Sequence, residues 1–566
     1  MRTLNYFFGL LVILMFTRCQ KQEVANPVSG HPITKTSKSL ASTITSYPSY
    51  NTSPLPPDQT GVTSTATQLA AKFQLGWNIG NTLEATGGET NWGNPMVSQA
   101  LIDEVKKAGF TAVRIPCDWD QYSDQNTAQI QQSWLNRVQQ VVQYCVNDGL
   151  YVILNIHWDD GWLENNCTTA AQAAVNAKQK AFWEQIATKM RGFDEHVIFA
   201  SANEPAVSDA TGMSVLLSYH QTFVNAVRST GGHNSYRVLL VQGPSTNIDY
   251  TNSLMNTLPT DPASNRLMVE VHYYDPAQFC FLTSDASWGN MFYYWGSGYH
   301  STTDASRNAT WGEESYMTSE LSLMKSKFVD KGIPVMLGEY AVNRRLGLTG
   351  DALNLQLASR AYYLNYFVHQ ALQAGLKPFY FDSGGTDSTN PGRIINRQTN
   401  GIYDQQGLAA IMQGAQNGTT STIQTGQVYQ IFNRNSFKSL EFVGWGTANR
   451  TQADQWDYLA GANQQFMVQD AGNGYYRLTP MHATGKCLEI YGGSNSNGGQ
   501  AELWDYFGGN NQKWMIQPTD NGYYKIINVN SGKALDLYQL SLNNGGVADQ
   551  WDYNGGRNQQ WGFVKI

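Results

Sequence analysis

Short apolar runs of strand length recur between residues 67 and 417, and amphipathic stretches of helical period separate most of them. We count eight candidate strands: Phe73–Gly80, Ala112–Trp119, Tyr151–Trp158, Val197–Glu204, Arg237–Pro244, Leu267–Tyr274, Pro334–Tyr340 and Lys377–Asp382. The clearest helical stretches are Pro95–Ala108 and Trp134–Val146. This alternation predicts an α/β fold, a (β/α)8 barrel with some enlarged loops. A doubly wound open sheet is the alternative, but no Gly-x-Gly-x-x-Gly motif follows the first strand.

A different pattern begins near residue 424, where the chain becomes rich in Gly, Asn, Gln and Trp and repeats itself three times. Three sequence elements recur in register, with spacings of 48 and 47 residues. They are marked by Trp456, Trp504 and Trp551, by Phe466, Trp514 and Trp561, and by Glu441, Glu489 and Asp536. Repeats this short cannot bury their own apolar faces, so they must associate. For residues 424–566 we predict a closed all-β domain with threefold symmetry.

The first 19 residues have the pattern of an export signal, in which Arg2 precedes an apolar stretch too short to span a membrane. Cys19 follows this stretch directly, which predicts a lipoprotein-type signal and a lipid anchor at Cys19. We therefore expect an exported protein, located at the outer membrane or cell surface, with ordinary secretion as the alternative. Residues 20–66 are rich in Ser, Thr and Pro and have few large apolar residues, so we predict a tether.

Composition and charge narrow the classes of function. The 566 residues carry a formal net charge of −7 without a run of Lys and Arg, which argues against nucleic acid as a partner. None of the six cysteines forms a Cys-x-x-Cys pair, so no zinc site is expected. We expect Cys117 and Cys145 to be buried free thiols, and an oxidising compartment would allow a disulfide between Cys167 and Cys280. We expect the chain to be a monomer.

Polar and aromatic residues stand at the ends of successive candidate strands, namely Arg114, His157, Trp158, Asn203, Glu204, His272, Tyr274 and Glu339. A single Arg or His of this kind is usually structural, but their shared placement at the carboxyl ends of parallel strands indicates an active site. Two of them, Glu204 and Glu339, are carboxylic acids without a metal-ligand cluster. Such a pair suits the cleavage of a glycosidic bond, in which one acid donates a proton and the other attacks or stabilises the anomeric centre.

The barrel resembles glycoside hydrolase family 5 through motifs in the family's order: Gly76–Glu84, Trp92–Pro95, Val113–Pro116, Asn155–His157, Asn203–Pro205, His272–Tyr274 and Gly338–Tyr340. The resemblance spans nearly the whole barrel domain, residues 67–417, and implies a retaining enzyme with Glu204 as acid/base and Glu339 as nucleophile. It also implies a set of supporting residues: Asn78, Arg114, His157, Trp158, Asn203, His272, Tyr274 and Phe381. Among these, Asn203 would bind the 2-hydroxyl group of the sugar, and Arg114 and Tyr274 would support Glu339.

Two positions depart from the usual pattern of this family. Trp158 stands where the family often has a second His, and Phe381 stands where it usually presents a Trp beneath the sugar. The motifs around the first strand look most like endo-β-1,4-glucanases, which implies a β-linked glucan as substrate and no cofactor. Xyloglucan and β-mannan are alternative substrates, and transfer to a sugar hydroxyl is an alternative to hydrolysis. A non-hydrolytic polysaccharide-binding surface protein is the alternative of another class.

The three repeats resemble the ricin B-type β-trefoil, as in family 13 carbohydrate-binding modules, in which each repeat carries a Gln-x-Trp element. The resemblance implies that the tryptophans of Gln-x-Trp lie in the core. Glu441, Glu489 and Asp536 fall where the family usually places a sugar-binding Asp, and two of the three are Glu. The third repeat is the closest to the family pattern, so the sugar-binding candidates expected there are Asp536, Tyr538 and Asn558.

Overall fold

The computed structural model describes residues 44–345, 347–385, 392–417, 423–519 and 522–566. The predicted export signal, the lipid anchor at Cys19 and residues 20–43 of the predicted tether lie outside the described residues. Within the described ranges, no helix is both long enough and apolar enough to cross a membrane.

Eight parallel strands close into a barrel, which confirms the predicted (β/α)8 architecture. They are β1 (Gly76–Ile79), β2 (Ala112–Ile115), β3 (Tyr151–Asn155), β4 (Val197–Ala200), β5 (Leu239–Gln242), β6 (Leu267–His272), β7 (Val335–Tyr340) and β8 (Lys377–Asp382). β2 ends where Pro116 removes the next backbone donor. β2, β3 and β4 are each shorter than predicted, so the residues beyond their ends lie on loops.

The helices outside the strands surround the barrel or close one of its ends. They are α1 (Ala66–Ala70), α2 (Gln99–Lys107), α3 (Gln132–Asn147), α4 (Gln172–Met190), α5 (Ala210–Ser229), α6 (Ile248–Leu254), α7 (Ala277–Cys280), α8 (Glu314–Lys327), α9 (Gly350–Gln373) and α10 (Gln405–Asn417). The two helices predicted from periodicity correspond to α2 and α3. α3 buries the apolar face that the sequence predicted. α2 buries Leu101, Ile102 and Val105, whereas Met96 lies before the helix and is exposed.

The barrel interior is apolar at its amino-terminal end and polar one layer above. Because side chains alternate along a strand, Ile153 lies below Asn155 on β3, and Met268 lies below Glu270 on β6. The lower layer contains Ile153, Ile198, Leu240, Met268, Met336 and Phe379, and Leu69 of α1 packs with it. The buried polar layer contains Asn78, Arg114, Asn155, Gln242 and Glu270. Polar groups therefore collect at the carboxyl ends of the strands.

Residues 44–66, which the sequence assigns to the tether, pack against the barrel instead. Leu55–Pro57 pairs in parallel with Gly231–Gly232, and the backbone N–H of Tyr50 donates a hydrogen bond of 2.7 Å to Glu184 on α4. Composition correctly indicates that this stretch has no core of its own. It does not reveal that the stretch gains hydrogen-bond partners by docking on a neighbouring domain.

Among the described residues, twelve strands form the carboxyl-terminal all-β domain. They are β9 (Val428–Asn433), β10 (Ser439–Phe442), β11 (Thr451–Trp456), β12 (Gln465–Asp470), β13 (Tyr476–Pro480), β14 (Lys486–Ile490), β15 (Gly499–Asp505), β16 (Trp514–Pro518), β17 (Tyr524–Asn528), β18 (Ala534–Leu537), β19 (Gly546–Trp551) and β20 (Trp561–Lys565). β9 pairs with β20, so the first and last strands close the domain. Phe466, Trp514 and Trp561 are completely buried, as predicted.

The barrel and the all-β domain share apolar packing. Phe432, Phe437 and Tyr523 belong to the same buried cluster as the core around the barrel. The Tyr299 hydroxyl, on the loop after β6, donates a hydrogen bond of 2.9 Å to the carbonyl oxygen of Arg434. The Arg557 guanidinium lies 4.6 Å from the centre of the Tyr299 ring, in a cation–π contact. The two domains therefore stabilise each other directly.

Cys167 and Cys280 do not form the disulfide that an oxidising compartment would allow. Both residues are buried free thiols, as are Cys117, Cys145 and Cys487. Cys167 lies on the loop before α4 and Cys280 ends α7, and burial raises the pKa of each thiol.

Each repeat of the all-β domain buries a pair of carboxyl groups on facing strands. The pairs are Glu441 with Asp454, Glu489 with Glu502, and Asp536 with Asp549. In the second member of each pair, burial and the facing carboxylate raise the pKa to about 7. One oxygen atom of that group has no hydrogen-bond partner among the described residues. We infer that each pair retains a proton below about pH 7.

We predict that these pairs make the protein less stable as the pH rises. The folded chain retains protons on Asp454, Glu502 and Asp549 up to about pH 7, whereas the unfolded chain releases them near pH 4, so stability falls through this range. Thermal unfolding of the triple variant Asp454→Asn, Glu502→Gln and Asp549→Asn between pH 5 and pH 8 should show a weaker decline than the parent chain.

Asp457→Asn is the matched control for this series. Its carboxylate forms an ion pair with Lys438 and is half exposed, so its removal should leave the pH dependence unchanged. Equal pH dependence in the parent chain and the triple variant would contradict the shared-proton interpretation.

Candidate active site

Arg114, on β2, lies at the centre of the polar layer and is completely buried. Its guanidinium group donates hydrogen bonds to Glu339 Oε1 at 3.0 Å, Asn203 Oδ1 at 2.7 Å and Asn78 Oδ1 at 3.0 Å. Its Nε forms an ion pair of 2.8 Å with Glu270 Oε1. Burial opposes the charge, but the carboxylates of Glu270 and Glu339 outweigh burial and raise the pKa of Arg114. Arg114 therefore stays charged and connects four residues around the ring, on β1, β6, β7 and the loop after β4.

A β-bulge in β7 turns Glu339 toward the site. On the side of β6, Val271 pairs with Leu337 and the next residue, His272, pairs with Glu339, so β7 has one extra residue there. The pairing of β7 with β8 shifts in a similar way. Without the extra residue, Glu339 would face outward, because Met336 and Gly338 occupy the inward positions. Gly338 lies close to the polar layer: a Cβ atom there would be 1.9 Å from Glu270 Oε1. The bulge and the glycine together make room for two carboxylates.

Glu204 lies on the loop after β4, and 23% of its side chain is exposed. His272 Nδ1 is 2.8 Å from Glu204 Oε1, and His272 Nε2 is 3.2 Å from Glu270 Oε1. Burial opposes protonation of the ring, but Glu339, Glu204 and Glu270 outweigh burial and raise the pKa of His272. The surrounding carboxylates therefore stabilise the charged form of the imidazole.

The carboxyl groups of Glu204 and Glu339 face one small space. One oxygen of each and a ring nitrogen of His272 all lie within 4.8 Å of one another. Three such atoms are able to bind a metal ion, but the two oxygens of Glu339 already accept hydrogen bonds from Arg114 and Tyr274. The cations Arg114 and His272 thus compensate the carboxylates from within the chain.

The Tyr274 hydroxyl donates a hydrogen bond of 2.9 Å to Glu339 Oε2. Burial and the Glu339 carboxylate raise the pKa of Tyr274 well above its ordinary value, so the hydroxyl keeps its proton. Arg114 and Tyr274 together stabilise the ionised form of Glu339 and fix its orientation. The structure therefore gathers most of the predicted residues into one contact network: Asn78, Arg114, Asn203, Glu204, His272, Tyr274 and Glu339.

The remaining predicted residues lie at the same end of the barrel. His157 is buried, and its Nδ1 is 3.3 Å from Asn155 Nδ2. Trp158 is 42% exposed, whereas Phe381 is partly buried and packs over Gly80. Further exposed indole rings lie on the loops that follow β1 and β6, at Trp92, Trp288 and Trp311. The loops at this end thus expose flat apolar rings to solvent.

Three important residues escaped the sequence analysis. Glu270 contacts both Arg114 and His272, and Gln242 on β5 donates a hydrogen bond of 2.6 Å to Glu270 Oε2. Glu164, on the loop after β3, accepts a hydrogen bond from the backbone N–H of Glu204. The signal for Glu270 and Gln242 was present in the sequence, since each interrupts an apolar strand at an inward position. For Glu164 there was none, because its loop has no periodic pattern.

The acidic residues of the all-β domain are buried and hydrogen-bonded. Gln464 donates to Glu441 at 2.6 Å, Gln512 donates to Glu489 at 2.7 Å, and Asn558 donates to Asp536 at 2.9 Å. In the second repeat a cavity of about 420 Å³ opens beside Glu489. Among its other lining residues are Tyr491, Phe507, Asn511 and Arg450.

This cavity lies in the second repeat, whereas the sequence analysis favoured the third. Tyr491 and Tyr538 occupy equivalent positions and both are exposed, but the second repeat adds Phe507 where the third has Asn554. The Arg450 guanidinium also lies 5.2 Å from the centre of the Tyr491 ring. Aromatic and charged neighbours, rather than the identity of the acid, distinguish this repeat.

Comparison with known families gives a match for both domains. Residues 78–386 match the cellulase family, glycosyl hydrolase family 5, and residues 417–504 and 510–566 match a ricin-type beta-trefoil lectin domain-like family. The xyloglucan-specific endo-beta-1,4-glucanase of Bacteroides ovatus is 36% identical over 376 residues, which cover 63% of this chain and 72% of that protein. Endoglucanase A of Paenibacillus barcinonensis is 36% identical over 377 residues, which cover 62% of this chain and 90% of that protein.

Solved structures show the same likeness for the barrel. The Bacteroides ovatus xyloglucanase in complex with a XXXG heptasaccharide gives a TM-score of 0.60 at 34% identity, covering 65% of this chain and 80% of that one. A xyloglucan-specific beta-1,4-glucanase from a ruminal metagenomic library, in complex with XXLG, gives 0.59 at 40% identity, covering 64% and 98%.

We predict that Gly338→Ala destabilises the polar layer. The new Cβ atom would lie 1.9 Å from Glu270 Oε1, so Glu270 must move away from Arg114 and His272. The expected loss is about 1–3 kcal/mol in the free energy of unfolding, as for other overpacked interiors, measured by urea denaturation. Gly192→Ala is the control, because no atom lies within 4 Å of its added Cβ. Equal stability of the two variants would refute the packing argument.

Proposed function

Since this chain belongs to the cellulase family, glycosyl hydrolase family 5, and is a glycoside hydrolase, we propose that it is a retaining endo-β-1,4-glucanase acting on β-glucan-type polysaccharides, xyloglucan among them. The observation that carries the mechanism is the separation of the two carboxyl groups. Retaining glycosidases hold them about 5 Å apart, whereas inverting enzymes leave room for a water molecule between them at about 6.5–9.5 Å. The value of at most 4.8 Å between oxygens of Glu204 and Glu339 favours retention.

Glu339 is the proposed nucleophile. Its two hydrogen bonds, from Arg114 and Tyr274, keep it ionised and aim it at the anomeric carbon. Attack forms a bond between a Glu339 oxygen and that carbon, and breaks the bond to the leaving sugar. In the second step, water adds to the anomeric carbon and releases Glu339.

Glu204 is the proposed acid/base. It gives its proton to the leaving oxygen in the first step and takes one from water in the second. Its exposure supports this assignment: the Glu204 side chain is 23% exposed, whereas those of Glu270 and Glu339 are completely buried, so Glu204 is open to the leaving oxygen and to water.

The substrate assignment is supported by the relatives and by the loops. Two of the similar proteins are described as xyloglucan-specific, and their structures are complexes with a XXXG heptasaccharide and with XXLG. Exposed tryptophans on the loops after β1, β3 and β6 are suitable platforms for a long, decorated chain. Export of this chain, which its first 19 residues predict, would bring it to such polymers.

We expect the protein to release reducing sugars from xyloglucan and mixed-linkage β-glucan, and to release little from β-mannan. A mannan backbone presents an axial 2-hydroxyl group to the site, near the expected position of Asn203. The measurement is reducing-sugar release from these polymers in parallel. Release from mannan alone would contradict the proposed β-glucan substrate. No release from any polymer would favour a non-hydrolytic polysaccharide-binding protein.

Two variants test the mechanism, the first in the same polymer assay and the second with a substrate that has an activated leaving group. Glu339→Gln keeps the shape of the site but loses the nucleophile, so turnover should fall by several orders of magnitude. Glu204→Ala should regain activity when azide is added together with a substrate whose leaving group needs no proton. Normal activity in Glu339→Gln would eliminate the proposed mechanism.

We propose that the trefoil binds sugar through the cavity of its second repeat. The cavity combines an acceptor at Glu489, an amide at Asn511 and the exposed rings of Tyr491 and Phe507. This combination of polar groups that fix hydroxyls and a ring that stacks on the sugar face is typical of a saccharide site.

Tyr491→Ala should weaken binding of the full chain to an insoluble or immobilised β-glucan by about tenfold or more, because one stacking surface is lost. Tyr538→Ala, the equivalent change in the third repeat, is the control and should leave the affinity unchanged. Both variants are compared in the Glu339→Gln background, so that the polymer is not degraded. A loss confined to Tyr538→Ala would assign the site to the third repeat.

A further inference from the structure

Glu164 is a buried carboxylate next to the proposed acid/base, outside the contact network described above. It is 2% exposed and begins a short 3₁₀ turn, Glu164–Asn166, on the loop after β3. Its Oε1 accepts a hydrogen bond of 3.1 Å from the backbone N–H of Glu204, and its backbone carbonyl accepts another of 2.9 Å from Ala206.

The turn that carries Glu164 is itself anchored. The Tyr219 hydroxyl on α5 donates a hydrogen bond of 2.7 Å to the carbonyl oxygen of Asn166. The side-chain amide of Asn166 donates a hydrogen bond of 3.0 Å to the carbonyl oxygen of Trp162. These hydrogen bonds fix the turn and therefore the position of the Glu164 carboxyl group.

Glu204 needs such a partner because its backbone lies beyond the sheet. β4 ends at Ala200, so no carbonyl group of a neighbouring strand accepts a hydrogen bond from the N–H of Glu204. Pro205 prevents the strand from continuing. Glu164 thus fixes the backbone at the residue from which the proton is delivered.

We propose that Glu164 is a positioning residue for the known glycosidase reaction: it holds the backbone of Glu204 so that the acid reaches the leaving oxygen. This inference rests on the proposed role of Glu204. Small errors in placing an acid reduce proton transfer strongly, because the donor must come within hydrogen-bond distance of the leaving oxygen.

The test compares two aryl β-cellobiosides in the full-length protein. One carries 2,4-dinitrophenol, which leaves without a proton, and the other carries phenol, which requires one. Glu164→Ala should lower kcat/KM for the phenyl substrate by about tenfold or more, and leave the dinitrophenyl substrate nearly unchanged. Glu164→Gln should restore most of the loss, because its amide oxygen accepts the same N–H.

Glu184→Ala is the matched control. Glu184 is equally buried, at 2% exposure, and also accepts a backbone N–H, from Tyr50, but lies on α4 away from the site. Its loss should lower the unfolding temperature without changing the ratio of the two kcat/KM values.

The outcomes separate this inference from the proposal beneath it. If Glu204→Ala shows no dependence on the leaving group, the assignment of Glu204 as the acid is wrong. If Glu204→Ala shows that dependence while Glu164→Ala has the parent ratio, Glu204 is the acid and the role of Glu164 is refuted. An equal loss on both substrates in Glu164→Ala would also refute it, because a purely structural defect has no preference for the poorer leaving group.

Discussion

The polar end of the barrel depends on one buried guanidinium group. Arg114 is removed from water, and its charge is tolerated because Glu270 and Glu339 lie within 3.0 Å. Removing either carboxylate would leave an uncompensated charge, and removing Arg114 would leave two carboxylates in repulsion. The same group also binds Asn78 and Asn203, so the electrostatic balance fixes the relative positions of several strands. Stability and the arrangement of the reacting groups are therefore coupled at this residue.

Much of the fold could be predicted from the sequence, because a barrel repeats the same unit of a buried apolar strand followed by a helix. Apolar runs such as Val197–Ala200 and Val335–Leu337 must be buried on both faces, and eight of them with helices between allow few arrangements. The pair Glu204 and Glu339 was readable for a related reason, since parallel strands bring their carboxyl ends together. Residues 44–66 were misassigned because their partners lie far away in the sequence, where composition gives no information.

Finer geometry followed from interactions that periodicity does not encode. The bulge in β7 reverses the direction of Glu339, and strict alternation would have placed that side chain outside the barrel. Glu164 reaches Glu204 from another loop, and contacts between loops leave no repeat in the sequence. In the trefoil, the threefold pattern identified three equivalent acids, but the cavity at Glu489 results from neighbours such as Arg450 and Phe507, which the repeats do not share.

Phe432, Phe437 and Tyr523 pack into the core around the barrel, and the Tyr299 hydroxyl binds the backbone of Arg434. A lectin module joined only by a flexible linker can be gained, lost or exchanged between enzymes by recombination at the linker. Here such an exchange would uncover apolar surface on both partners, and a newly acquired module would have to match it. Substitutions on the two sides of this contact are therefore expected to covary, so that the catalytic and lectin parts evolve as one inherited unit.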